Sequence, residues 1–275
     1  IKNDGHLFIP LMVIVLILVL GYSPQYAALL GILAVVPTAL LRSSTRKDVS
    51  IKMIIDALCE GAVNTVLIAM ACACAGILVG IINVTGAGLT FTQMVVSLAL
   101  DNVYMGLFMA SVAGIIVGMG IPTAPAYIIQ VALLVPALVK FGIPVAGAHL
   151  FAFYFAILSG ITPPVAIAVY AANSISRAGL WSGCIAAMKL GATGYIIPFM
   201  FTLGPALLMI GSWNRILAAA ISASIGAICI SSSLHGYLYQ SIGWGTRIAL
   251  VAVAFCLLAP GWWSDLIGFG VLAPV

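Results

Sequence analysis

The chain is 275 residues long, 64% hydrophobic and only 6% charged, with a formal net charge of +4. Soluble domains carry about 25% charged residues, so this composition excludes a soluble enzyme or binding module and reads as an all-helical integral membrane protein. The positive charge is too small and too dispersed for a nucleic-acid surface, and at about 20 residues per span the length has room for roughly eight to ten membrane segments.

Residues 7–21 and 25–42 are apolar runs joined by Gly21-Tyr22-Ser23-Pro24, which predicts an antiparallel helical hairpin. The first run lacks a small-residue cleavage site and reads as a membrane helix, not a signal peptide. Arg42, Arg46, Lys47 and Lys52 follow closely, and the positive-inside rule puts their loop in the cytoplasm. Over 48–60, Ile51, Ile54, Ile55 and Leu58 make one apolar face, while Asp48, Lys52, Asp56 and Glu60 fall four apart on the other. That pattern predicts an amphipathic helix in the interface plane. A span is expected at 61–83, with small residues for close helix approach. Residues 86–101 read as an interfacial segment. The six cysteines lie mostly in apolar runs, and the lone Cys72-x-Cys74 has no neighbouring His or second pair, so they read as small apolar helix residues.

Next comes a run without charge from 102 to 139. One straight helix of that length would measure about 57 Å, against a hydrocarbon core of about 30 Å. Either two helices cross fully, or a hairpin enters and returns. The cluster Gly-Met-Gly-Ile-Pro-Thr-Ala-Pro at 118–125 leaves two arms that are short for crossings. This favours a re-entrant hairpin with its tip at Gly118–Pro125, although charge placement is the same for both arrangements. After a turn at Phe141–Gly147, residues 148–176 form one apolar span broken by Ser-Gly-Ile-Thr-Pro-Pro at 159–164. Arg177 and Lys189 flank a further interfacial candidate, and apolar runs follow at 190–211, 216–233, 246–260 and 266–275. Trp213, Trp244, Trp262 and Trp263 stand at their ends, as aromatic belts do.

The two interruptions carry the chemistry. Irregular backbone at membrane depth is tolerated only inside protein or against a cavity, and paired interrupted helices mark transport sites near the midplane. Freed carbonyls can ligate Na⁺, and half-helix N-termini attract anions. The expected Na⁺ ligands are Gly118, Gly120, Pro122, Thr123, Ser159, Gly160 and Thr162. No Asp or Glu lies between Asn102 and Arg177, so neutral oxygens would hold the cation and a carboxylate proton relay is absent there. Substrate-binding candidates are Thr123, Ala124, Thr162 and Pro163, where half-helices are expected to start, and Asn173 near the inner end of the span. His149 reads as a packing or interfacial residue. No phosphate-binding loop or zinc-binding His pair occurs, so no catalytic residues and no cofactor beyond the coupling ion are expected.

The segments 118–129 (Gly-Met-Gly-Ile-Pro-Thr-Ala-Pro-Ala-Tyr-Ile-Ile), 148–166 (Ala-His-Leu through Pro-Pro-Val-Ala) and 189–201 (Lys-Leu-Gly through Pro-Phe-Met-Phe) resemble the large permease of TRAP (tripartite ATP-independent periplasmic) transporters. The wording is closest to the fused branch that works with TAXI-type binding proteins, and the resemblance covers about 1–210. It implies an elevator-type carrier with two inverted repeats, each a re-entrant hairpin followed by a broken helix. On that plan 102–140 is the second hairpin and 148–176 the second broken helix. The first repeat's pair and the small-subunit region are absent, so the chain reads as the C-terminal part of a longer permease, able alone to form at most half of the transport site. The implied organisation is 1–60 (two membrane helices and an amphipathic arm), 61–211 (the transport-domain half) and 212–275 (C-terminal helices). The implied function is Na⁺-coupled import of small organic acids delivered by a periplasmic, TAXI-type binding protein across a bacterial or archaeal cytoplasmic membrane. The implied partners are that binding protein, the N-terminal part of the permease and the lipid bilayer. Rival readings are an elevator carrier without a binding protein, and a channel or structural subunit that only packs.

Overall fold

The computed structural model describes residues 5–41, 46, 49–100, 102–238, 240–258, 264, 268 and 270. The chain falls into two compact units, Ile1–Leu67 and Ile68–Val275. In the first, a short 3-10 turn (Gly5–Phe8) leads into α1 (Ile9–Val19), and α2 spans Pro24–Leu40. Each helix has a proline at its start, where the missing N–H would have no helical partner anyway. Ser23 caps α2 by accepting from the Tyr26 N–H (3.4 Å). α1 and α2 pack as the expected hairpin. A β-carbon on Gly31 would sit 2.6 Å from Ile14 Cδ1, so glycine sets the closeness of the pair. The basic residues Arg42 and Lys47 and the acidic Asp48 lie outside the described residues.

The arm helix and the first span expected at 48–60 and 61–83 are a single helix, α3 (Ile51–Thr85), which starts in the first unit and ends in the second. Ser50 accepts from the Met53 N–H (3.1 Å) at its start. Only Gly61 marks the expected boundary, and one interior glycine costs about 1 kcal/mol, too little to end a helix that has no proline. At about 52 Å α3 is longer than a hydrocarbon core.

The second unit continues with α4 (Ala87–Leu98), α5 (Val103–Gly118), α6 (Thr123–Lys140), α7 (Val145–Leu158), α8 (Ile167–Ser176), α9 (Leu180–Leu190), α10 (Ala192–Leu203), a 3-10 turn (Pro205–Leu208), α11 (Trp213–His235) and α12 (Trp244–Leu258). No strand is found among the described residues; Tyr237 and Ser241 form an isolated bridge. Among the described residues, four helices are long and apolar enough to cross a membrane: Ile51–Thr85, Thr123–Lys140, Leu180–Leu203 and Trp213–His235. The segment around Leu180, expected to be interfacial, thus joins α10 through Gly191 into one 24-residue span. The apolar run expected at 266–275, with Trp262 and Trp263, lies almost entirely outside the described residues.

The main core of this unit is built by α5, α6, α7 and α10 around Leu107, Leu134, Leu138, Phe151, Phe155 and Phe201. Phe199 meets Phe151 edge-on at 5.5 Å, and Phe151 lies tilted against Phe155 at 4.8 Å. Lipid supplies no hydrophobic drive between helices, so close packing must hold them. α5 provides it with small residues at every fourth position: Gly106, Ala110, Gly114 and Gly118, all buried. A β-carbon on Gly106 would overlap Phe141, and one on Gly114 would lie 3.0 Å from Phe155 Cβ. Leu250, Val253, Ala254 and Leu257 of α12 close a second core with Cys229 and Ile230 of α11 and Met200 of α10.

Candidate functional site at the two helix interruptions

α5 begins on Asn102, whose Oδ1 accepts from the Tyr104 (2.9 Å) and Met105 (3.3 Å) N–H groups. It ends at Gly118. The chain turns through 119–122 and re-enters helix at Thr123. Gly120 has φ +77°, a conformation costly for residues with a β-carbon. Pro122 fixes the extended backbone before α6 and gives its carbonyl to the Ala126 N–H (3.1 Å). α5 and α6 pack against each other and against α7.

The second interruption is wider than expected. α7 stops at Leu158, and helix resumes at Ile167, not near Pro163. The physical reason lies in two consecutive prolines without N–H groups and a bond that bypasses them: the Ala168 N–H donates to the Gly160 carbonyl at 3.0 Å. The Pro163–Pro164 bond is cis.

The fold brings the two interruptions together. A β-carbon on Gly118 would lie 2.5 Å from Ser159 Oγ and 2.8 Å from Ser159 Cβ. One on Gly120 would lie 3.4 Å from Val165 Cγ1. Only glycine at 118 lets the end of α5 seat on Ser159, which is itself 1% exposed and donates to the Ala156 carbonyl (2.8 Å).

The oxygens sort into two groups. The carbonyls of Gly118, Pro122, Ser159, Gly160 and Thr162 accept from Ile121, Ala126, Thr162, Ala168 and Ala166 N–H groups respectively, and each keeps a second lone pair. Among the described residues the carbonyls of Gly120, Ile121, Ile161, Pro163 and Pro164 accept no backbone hydrogen bond. Neither Thr123 nor Ala124, both exposed, donates its N–H to the backbone. They are the free donors at the start of α6. Thr162 Oγ1 donates to the Leu158 carbonyl (2.6 Å), so it must accept from Tyr195 OH (2.6 Å). Asn173 is not drawn into this cluster. Its amide packs on Gly183 of α9 and accepts from Ser176 Oγ (3.5 Å). His149 Nδ1 pairs with Tyr127 OH at 2.8 Å, tying α7 to α6.

Two residues here escape a sequence reading. Gln130, 0% exposed, spans from α6 to α5 and donates its Nε2 to the Gly114 carbonyl (2.8 Å). It is the only glutamine between Gln93 and Gln240, inside an uncharged run, and that was the available signal. Tyr195 reaches Thr162 from α10 across 33 positions, and nothing in its local sequence marks it. Among the described residues, no group of three or more His, Cys, Asp or Glu is placed to hold a metal.

The elements thus define a multi-helix membrane protein in which the end of α5 packs closely on Ser159, at the end of α7. Residues 2–216 match the family described as Tripartite ATP-independent periplasmic transporter, DctM component, and the chain belongs to that family of transporter permeases. Neither the curated proteins nor the solved structures give a match.

Proposed function

We propose that the chain works in a Na⁺-coupled secondary transporter that imports small organic acids handed over by a periplasmic binding protein of the TAXI type. The observation that carries this reading is the seating of Gly118 on Ser159, which brings the two interruptions into contact, each of them with carbonyls that accept no backbone hydrogen bond. Na⁺ is a hard cation and takes oxygen ligands. The ligand set proposed is drawn from Gly118, Gly120, Pro122, Thr123, Ser159, Gly160 and Thr162, joined by the free carbonyls of Ile121 and Ile161. The substrate carboxylate would meet the free N–H groups of Thr123 and Ala124, where the helix dipole is positive.

In the same reading α5 and α6 are a re-entrant hairpin, and α7 and α8 are halves of one broken membrane helix. Support comes from α5, whose 16 residues measure about 24 Å, short of the roughly 30 Å core, and from its packing against α6, which at 18 residues is long enough to cross. An elevator movement of this unit, in a cytoplasmic membrane and alongside a second inverted repeat, completes the proposal.

The test is uptake of a panel of small organic acids by the full permease in proteoliposomes, with its binding protein present. Uptake should require both the binding protein and an inward Na⁺ gradient. Equal uptake in K⁺ alone refutes the coupling, and equal uptake without binding protein favours an independent carrier.

A further inference from the structure

Gln130 is fully buried in the core between α5, α6 and α7, yet it is only half satisfied. Its Nε2 holds the Gly114 carbonyl at 2.8 Å, while its Oε1 has no hydrogen-bond partner. A buried acceptor without a donor destabilises a fold, and an apolar side chain of similar shape avoids that penalty. Local rules are broken in this way chiefly at functional sites. The position of the amide supplies the function. The β-carbon point of Gly118 lies 3.0 Å from Gln130 Nε2 and 2.5 Å from Ser159 Oγ. The amide therefore flanks the contact that joins the two interruptions, and it grips α5 one helical turn before the tip.

We propose that Gln130 is a positioning residue of the cation site. By holding Gly114 it fixes how the end of α5 seats on Ser159, and with that the spacing of the carbonyls on either side. This inference rests on the Na⁺ reading above. It asks for a residue whose removal spares the fold and harms the site.

Thermal melting of the purified full permease tests it, with NaCl raised against choline chloride at constant ionic strength. A ligand at free concentration c that binds the folded state stabilises it by RT ln(1 + c/Kd), so fitting the melting temperature against Na⁺ concentration gives the concentration equal to Kd, the Na⁺ midpoint, without knowing the substrate. Gln130→Met and Gln130→Leu should melt no lower than wild type in choline, while their Na⁺ midpoints rise about tenfold or more. Lower melting with an unchanged midpoint would make Gln130 a packing residue and overturn the proposal. Failure of both variants to fold overturns it as well, since the amide would then be needed for stability. A wild-type protein that shows no Na⁺-specific shift sinks the Na⁺ reading itself, and this inference with it. A wild-type shift that both variants reproduce sinks this inference alone.

Discussion

Gly118 is where chain geometry and site chemistry meet at single-residue scale. Its missing β-carbon is the space that Ser159 occupies, with Oγ 2.5 Å and Cβ 2.8 Å from that point. Ser159 cannot swing away cheaply, because its hydroxyl is bonded to the Ala156 carbonyl and the residue is buried. Overpacking a tight core costs about 1–3 kcal/mol, so Gly118→Ala should lose about that much. Adding Ser159→Gly removes the obstructing atoms and should recover most of the loss, an interaction term of about 0.5–3 kcal/mol in a double-mutant cycle. Denaturation of the four proteins measures it; additive effects would mean that the two residues do not share a seat. Nearby, Thr162 has less to offer than its sequence position implied. Its one proton goes to Leu158 and one lone pair is taken by Tyr195, leaving a single lone pair for an ion. On the Na⁺ reading proposed above, the unbonded carbonyls near it would be the stronger ligands.

At the scale of elements, the hairpin reading makes a labelling prediction. Single cysteines at Val103, Ile121 and Val139 in a cysteine-free full permease should divide between two classes. The first and last should react with an impermeant maleimide from the same side, and the middle one should resist from both. Reaction at 121 from the opposite side would mean two full crossings. This turn was legible in the sequence because Gly118, Gly120 and Pro122 act locally: each makes helix unfavourable whatever surrounds it. The end of the second interruption was less legible. Pro163 and Pro164 signal a break, but its extent to Ile167 depends on the Ala168 N–H reaching Gly160, a contact across eight positions. α3 misled in the opposite sense. A change from amphipathic to uniformly apolar pattern near Gly61 marks a change of surroundings, not a change of backbone, and the helix runs through it. Tyr195 had no local mark as a site residue and Gln130 only its rarity, because their partners, Thr162 in the link between α7 and α8 and Gly114 on α5, lie far away in sequence. Local sequence carries no record of such pairs.

At the scale of the whole molecule, the proposed function raises the question of how a chain this poor in charge would attract an acid. No Arg or Lys is present between Asn102 and Lys140, or again between Lys140 and Arg177. The positive end of α6 is available, since the Thr123 and Ala124 N–H groups are unbonded in the backbone. The start of α8 offers less, because the Ala168 N–H is already given to Gly160. A helix end contributes about 0.3–1 kcal/mol when exposed and up to about 2 kcal/mol when partly buried. Micromolar affinity needs about 8 kcal/mol, so a helix end alone leaves most of the attraction to be found. A cation bound among the neighbouring carbonyls would supply positive charge within reach of the same donors. Binding of Na⁺ and of the acid should then be coupled, and the coupling must be the same in both directions. Calorimetry of the full permease with a transported acid, in Na⁺ and in choline, should show affinity at least about fivefold higher in Na⁺. The acid in turn should tighten Na⁺ by the same factor. Equal affinity in both media, or a preference for a cationic ligand, would overturn the assignment of α6 and its neighbouring carbonyls as the acid-binding end of the site.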